Sequence, residues 1–203
     1  MHTMQTYSQI QPKRFIFTGA PGSGKTSTLQ HLAENSVLIQ GPITVVHEAA
    51  TEIIANSQSQ GCMRPWETDP EFVDKIVFRQ VELQRQNNCL LQLHDRSPIC
   101  TYTLGRFLAH MRGKIFTPSQ ALLQETERCV ALYQKDIFFF QSLGFIEQTK
   151  ARQINFDEAC IFEQMHLETY DRFGFNAIYV PRDTIVKRAL LVERILCNRI
   201  LDR

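Results

Sequence analysis

Arg14-Phe15-Ile16-Phe17-Thr18-Gly19-Ala20-Pro21-Gly22-Ser23-Gly24-Lys25-Thr26 is the stretch on which the fold of this chain turns. Arg14 to Thr18 reads as a short buried strand. Glycines at 19, 22 and 24, with Pro21 between them, then let the backbone curl. A helix from about Thr26 to Glu34 follows. Strand, glycine-rich turn and helix in that order bring successive N–H groups and the positive end of a helix dipole to one point, which suits an anion.

Outward from this stretch, strand-like and helix-like segments alternate. Ile43 to His47 is rich in β-branched residues and leads into a helix from Glu48 to about Ser57. Gly61 to Pro70, with Pro65, Trp66 and Pro70, reads as a loop. Glu71 to Gln86 carries Phe72, Ile76 and Leu83, with Val73, Val77 and Val81 alongside, the pattern of a helix with one buried face. Cys89 to His94 is a third strand and Pro98 to His110 a helix. A basic loop with Arg112, Gly113 and Lys114 precedes a helix from about Ser119 to Tyr133. Ile137 to Phe140 is the fourth strand, and Phe156 to Phe173 is helical with Gly174 as its stop. Phe175 to Val180 is the fifth strand, closed by Pro181, and the last helix carries Ile185, Ala189, Val192, Leu196 and Ile200 on one stripe. This alternation predicts an α/β fold, a parallel sheet of about five strands with helices on both faces. Its ligands belong beyond the carboxyl ends of the strands, where the polar motifs fall. No Gly/Ser- or Pro-rich linker interrupts the chain, so residues 1–203 are expected to form a single domain.

Gly19 to Thr26 fits G-x-x-x-x-G-K-[ST] in full. Such a match arises by chance in a chain of this length on the order of 1% of the time, and here it also sits between a strand and a helix. The reading is a phosphate cradle for a nucleotide, ATP with Mg2+, formed by Gly19, Ala20, Pro21, Gly22, Ser23, Gly24, Lys25, Thr26 and Ser27. Lys25 is expected to reach the β- and γ-phosphates and the Thr26 hydroxyl to ligate the metal. The second metal-side residue is Asp95, which ends the apolar run Leu90-Leu91-Gln92-Leu93-His94.

Further residues point to phosphoryl transfer. Arg96 beside the metal position suits a developing negative charge or a substrate anion, and Ser97 is a cap candidate for the helix opened by Pro98. Glu48, at the end of the second strand, is placed to accept or bind an acceptor hydroxyl. Gly144 to Asp157 reads as a lid segment, with Arg152 as the candidate for charge stabilisation over the phosphates and Lys150 behind it. His47, His94 and His110 read as structural or solvent-facing, and Arg106, Arg112 and Lys114 as a solvated face, with the border of an acceptor pocket as the alternative. Trp66, the only tryptophan, is a candidate to stack on a flat substrate or a partner, or to anchor its loop.

Composition excludes several classes. Lysine and arginine number 22 against 21 acidic residues, a balance unlike that of a general nucleic-acid binder. The longest apolar runs are far too short to span a bilayer, and Met1 to Pro12 lacks the apolar core of a signal peptide. The six cysteines form no CxxC pair and no zinc-ligand spacing, so they read as structural thiols in a reducing, cytoplasmic setting. An Asn-Lys-x-Asp guanine reader is absent, which speaks against a conventional GTPase.

With these residues assembled, the chain resembles the AAA-type P-loop proteins related to the ribosylnicotinamide kinase domain of NadR and to the TRPL-translocation-defect proteins. The resemblance rests on Phe17 to Thr26, Glu48-Ala49-Ala50, Pro65-Trp66, His94-Asp95-Arg96-Ser97-Pro98, Tyr170-Asp171-Arg172-Phe173-Gly174-Phe175 and Val180-Pro181. It implies a three-layer P-loop NTPase fold of nucleoside- or nucleotide-kinase type, with the Asp95 strand beside the cradle strand. Asp95-Arg96-Ser97 is also similar to the motif of deoxynucleoside kinases, which sits near phosphates and substrate. Thr51 stands where relatives often carry arginine, and Thr149-Lys150-Ala151-Arg152 matches the Asp-Gly-x-Arg lid turn only loosely. The expected function is a kinase moving the γ-phosphoryl of ATP to a nucleoside- or nucleotide-like acceptor. The competing expectation is a nucleotide-binding switch or regulatory ATPase with a protein or lipid partner.

Overall fold

Side-chain parity along the strands builds the layers. In the computed structural model, which describes residues 11–145 and 154–201, strand β1 (Lys13–Gly19) turns Phe15 and Phe17 to one face and Ile16 to the other. Chain order continues with α1 (Lys25–Asn35), β2 (Ile43–Val46), α2 (Ala49–Ser59), the single turn α3 (Pro65–Thr68) and α4 (Phe72–Arg85). Then come β3 (Leu91–Asp95), α5 (Pro98–Met111), α6 (Gln120–Leu132), β4 (Asp136–Phe140), α7 (Phe156–Arg172), β5 (Asn176–Val180) and α8 (Ile185–Leu201). The strands form one sheet in the order β2-β3-β1-β4-β5, and every neighbouring pair is parallel.

Each face of the sheet has its own core. On one, Phe15, Phe17, Leu93, Phe138 and Phe140 meet Leu29 and Leu32 of α1 and Ala189, Val192 and Leu196 of α8. Phe17 and Phe138 stack there, with ring centroids 4.7 Å apart. On the other, Ile16 and Ile137 meet Ile99 and Cys100 of α5, Cys129 of α6 and Tyr170 of α7. The three-layer α/β arrangement expected from the alternation is therefore present. α2, α3 and α4 pack together beside this body around Ala49, Ile54, Phe72 and Ile76, and Leu104 and Leu108 of α5 join them.

The differences from expectation have local causes. The Gly61–Pro70 segment is not all loop: Pro65 opens the turn of α3, the Asp69 N–H bonds its carbonyl at 2.9 Å, and Arg64 pairs with Glu67 at 2.9 Å. Ile185 is 41% exposed because it precedes the part of α8 that lies on the sheet. Only Cys100 and Cys129 are buried, and Cys160 is exposed on α7; all six cysteines are free thiols. Glu193, buried on α8, accepts from the Ser36 hydroxyl and from the N–H groups of Val37 and Leu38, which closes the end of α1 onto α8. Among the described residues, no helix is long and apolar enough to cross a membrane.

Candidate functional site

The cradle begins where β1 runs out beside β4. Gly19 has φ 125, and a Cβ built there would stand 2.2 Å from the Phe140 carbonyl oxygen, so the backbone passes β4 at a distance only glycine allows. Gly24, with φ 74, is the N-cap of α1 and directs the turn into that helix. Lys25 is buried, and its ammonium donates to the Ala20 carbonyl at 3.1 Å and to Ser23 Oγ at 3.4 Å. Burial first, and the charge of Arg96 second, push its pKa down to about 8. Thr26 and Ser27 are exposed in the first turn of α1.

Arg188 of α8 buttresses the cradle from behind. Its guanidinium donates to the Ser23 carbonyl at 2.5 Å and the Gly24 carbonyl at 3.1 Å, and lies 5.3 Å from the Phe140 ring centre. A Cβ on Gly24 would meet Arg188 Nη2 at 2.4 Å, which gives a second reason for glycine there.

Register fixes the acidic partner. Asp95 is opposite Phe17 in the β1–β3 pairing, and the Arg96 N–H bonds the Phe17 carbonyl at 3.0 Å. Asp95 Oδ2 accepts from the Thr26 hydroxyl in a very short contact, while the buried Oδ1 has no hydrogen-bond partner. Burial raises the Asp95 pKa, against the opposing pull of Lys25. An exposed hydroxyl touching a carboxylate with an unsatisfied oxygen is a donor set that fits Mg2+, which takes few protein oxygens and completes its shell with phosphates and water. Among the described residues, no group of three or more His, Cys, Asp or Glu side chains forms an all-protein metal cage.

Arg96 links three elements. It is the only non-glycine residue with positive φ among those described, at 75°. Its Nε stands 2.7 Å from Glu48 Oε1, an ion pair whose N–H is not aligned on the oxygen, and Nη1 lies 3.2 Å from His166 Nε2. His166 Nδ1 faces the Phe162 carbonyl at 2.8 Å, so Nδ1 carries the proton and Nε2 is free to accept from Arg96. Burial, then the charge of Arg96, holds the His166 pKa well below its ordinary value. Burial pushes Glu48 upward, but Arg96 and Lys25 outweigh it and hold the carboxyl below its usual range. Ser97 occupies the N-cap of α5 without capping: its hydroxyl meets Tyr170 OH at 2.7 Å, and Tyr170 OH also meets Cys100 Sγ at 3.0 Å.

A cavity of about 480 Å3 opens from the cradle. Lys25, Thr26, Glu48 and Arg96 line its polar end, and Ile54, Trp66, Phe72, Leu104, Phe107 and Phe162 supply apolar wall. Gly22, Gly24, Pro21 and Ser27 of the cradle also face it. The structure thus gathers Lys25, Thr26, Glu48, Asp95 and Arg96, which the sequence scatters over three strand ends. It does not bring Arg106 of α5 or the basic-loop residues Arg112 and Lys114 here. Arg106 bonds Thr169 Oγ1 at 2.6 Å, Arg112 holds the Trp66 carbonyl, and Lys114 is exposed. His47 and His110 are exposed and His94 is buried, in line with structural or solvent-facing roles. Arg152, Lys150 and the central part of the 144–157 segment lie outside the described residues.

Sequence reasoning missed Arg188, His166 and Gln80. Each stands four residues from buried apolar positions: Arg188 before Val192, His166 after Phe162, Gln80 after Ile76. A polar residue on an apolar helical stripe was the available signal.

A family model described as AAA domain matches residues 14–188. No curated protein matches the chain. Thymidylate kinase from Ehrlichia chaffeensis is similar in structure with a TM-score of 0.56 at 14% identity, over 92% of this chain and 98% of that one. Shikimate kinase from Acinetobacter baumannii gives a TM-score of 0.45 at 17% identity, over 95% of this chain and 96% of that one. At these identities the first likeness is one of fold, a P-loop kinase type with a five-stranded parallel sheet.

Proposed function

The chain belongs to the AAA domain family, and from that premise we propose that it is a small-molecule kinase using ATP and Mg2+ on a nucleoside- or nucleotide-like acceptor. The observation that carries this reading is the cavity, which continues from the cradle and the Glu48–Arg96 pair into an apolar-walled recess with room for a second small molecule. A cradle serving only as a switch has no need of such a recess.

In this reading the cradle N–H groups, Pro21 excepted, and Lys25 would hold the ATP phosphates, and Thr26 with Asp95 would hold Mg2+. When bound there, the metal would supply neutralisation of the negative charge on the phosphates. The acceptor hydroxyl oxygen attacks the γ-phosphorus as the bond to the bridging oxygen breaks; ADP leaves, and the hydroxyl proton passes by way of Glu48 to solvent. Glu48, kept ionised by Arg96 and Lys25, accepts the hydroxyl hydrogen bond and orients the attack. Arg96, immobilised by Glu48 and His166, holds positive charge beside the transferring group.

The test is magnesium-dependent ADP release from ATP, with and without a panel of nucleosides and nucleotides that includes nicotinamide riboside. A Lys25→Ala variant is the blank. Strong stimulation by one acceptor, lost in that variant, is the expected result. Tight ATP binding with no stimulation by any acceptor would refute the kinase and favour a nucleotide-dependent switch.

A further inference from the structure

Gln80 lies on the buried stripe of α4 between Ile76 and Gln84, is 2% exposed, and lines the cavity. Its two amide atoms have different fates. Oε1 accepts the backbone N–H of Ala49, at the start of α2, at 3.3 Å. An N–H can only be met by an acceptor, so this contact fixes which end of the amide is oxygen. Nε2 is left buried with no hydrogen-bond partner. A buried amide donor without a partner carries a desolvation penalty, which a ligand acceptor atom would remove.

The surroundings restrict that ligand. Ala49 follows Glu48, so the donor lies on the same side of the cavity as the carboxylate proposed to orient the acceptor. Phe72, Ile76, Trp66 and Leu104 form the adjoining walls, and Trp66 meets Phe72 edge-on with ring centres 6.5 Å apart. Among the described lining residues, the charged groups are Lys25, Glu48 and Arg96, all at the cradle end. Flat apolar walls with one amide donor suit an uncharged ring whose edge presents a carbonyl oxygen or an unprotonated ring nitrogen.

We infer that Gln80 is the specificity-determining residue of the acceptor site, and that the acceptor is a neutral ring-bearing alcohol whose ring presents a hydrogen-bond acceptor to Gln80 Nε2. This rests on the kinase reading for the word acceptor, but the recognition is a property of binding and is measured apart from catalysis.

Trp66 is the only tryptophan and lines the same cavity, so its emission reports occupancy directly. The probes are uridine and inosine, whose rings carry carbonyl groups, and the phenyl C-riboside, a similar sugar with a ring lacking any acceptor atom. In wild type, uridine or inosine is expected to bind about ten- to a hundredfold more tightly than the phenyl riboside. In Gln80→Met that preference is expected to vanish, through loss of affinity for the carbonyl-bearing ring alone. Equal affinities in wild type, equal weakening of both ring types in the variant, or no binding of either carbonyl riboside to protein that binds ATP would overturn the inference. Because Gln80→Met also strips the acceptor from the Ala49 N–H, its melting temperature is read alongside. If it fails to fold, the wild-type comparison decides alone. ADP formation with the same probes separates the two readings. Gln80-dependent binding without turnover sustains the inference and sinks the kinase, whereas turnover of an acceptor indifferent to Gln80 does the reverse.

Discussion

Replacing His94 with glutamine removes a titrating group from the core and is expected to flatten the acid side of the stability profile. The ring is fully buried. Nδ1 lies 3.1 Å from the Tyr133 hydroxyl and Nε2 3.3 Å from Gln92 Oε1, which also accepts from Arg14 Nε at 3.0 Å. Burial first, and the Arg14 charge second, push its pKa from 6.5 down to about 3. The unfolded chain takes up this proton near 6.5 while the native state refuses it until about 3. Across that window the unfolded state binds more protons, so stability is complete above it and falls as the pH falls. One such group contributes a slope of about 1.4 kcal/mol per pH unit, amounting to about 5 kcal/mol by the bottom of the window. That is comparable with the whole stability of a modest domain, about 5–15 kcal/mol. Asp95, whose pKa burial raises, works in the opposite sense below its own folded value, so the informative quantity is a difference between proteins. Glutamine can still meet Tyr133 and Gln92 but does not titrate. Urea unfolding of both proteins at a series of pH values from neutral down to about 4.5 measures the difference. Wild type should lose about 1.4 kcal/mol more per unit than His94→Gln below the ordinary histidine pKa. Parallel profiles would refute the reasoning.

Arg188→Met keeps an apolar stem over Phe140 but leaves the Ser23 and Gly24 carbonyls without their donor, so ATP affinity should fall about tenfold in a fluorescent-nucleotide titration. An unchanged Kd would show that the cradle keeps its shape unaided. Gly19→Ala forces a Cβ to 2.2 Å from the Phe140 carbonyl oxygen and should destabilise the fold by on the order of 3 kcal/mol in urea, because the β1–β4 pair must open. A loss below about 1 kcal/mol would mean the strands yield easily. Arg96→Lys replaces a fork that meets Glu48 and His166 together by a single ammonium. Turnover should drop about a hundredfold with the KM for ATP within about threefold, and an equal loss in both would move Arg96 into ATP binding.

How much of this was legible in the sequence depended on whether the signal was local. The strand, glycine turn and helix of the cradle are legible residue by residue because one short stretch dictates all three. Asp95 was readable because a carboxylate directly after an apolar run marks a strand end, and its pairing with Thr26 follows from the Phe17–Asp95 register. The strands were found where apolar and β-branched residues cluster, and their ends differ from the reading by about a residue or two. The buried polar residues were less visible. Gln80 and His166 sit on helical stripes whose neighbours are apolar, so the apolar period alone assigns them no role. Their meaning depends on what faces them across the fold, the Ala49 N–H for one and Arg96 for the other. Arg188 is the extreme case, a residue of the last helix that donates to carbonyls 164 and 165 positions earlier. Ser97 failed in the opposite sense: its position is that of a cap, but Tyr170 draws the hydroxyl away from the helix end.

Arg96 shows why those distant partners belong to the site. A left-handed backbone at a residue with a long side chain is unfavourable by about 1–2 kcal/mol, and nothing in the sequence around it relieves that. What holds it is the company it keeps: its N–H on the Phe17 carbonyl at 3.0 Å, its Nε beside Glu48 at 2.7 Å and its Nη1 on His166 at 3.2 Å. The first contact ties it to the strand that carries the cradle, the second to the N-cap of α2, the third to α7. A relaxed backbone would swing the guanidinium out of at least one of these contacts. The strain and the ion pair are therefore one arrangement, in which the same geometry that keeps Glu48 ionised also keeps a positive charge facing the cradle. His166 contributes by remaining neutral: protonated, it would present a second donor to the guanidinium and push it away. Burial that denies His166 a proton thus serves the position of a residue on another element, and α7 is as much a part of the site as the cradle itself.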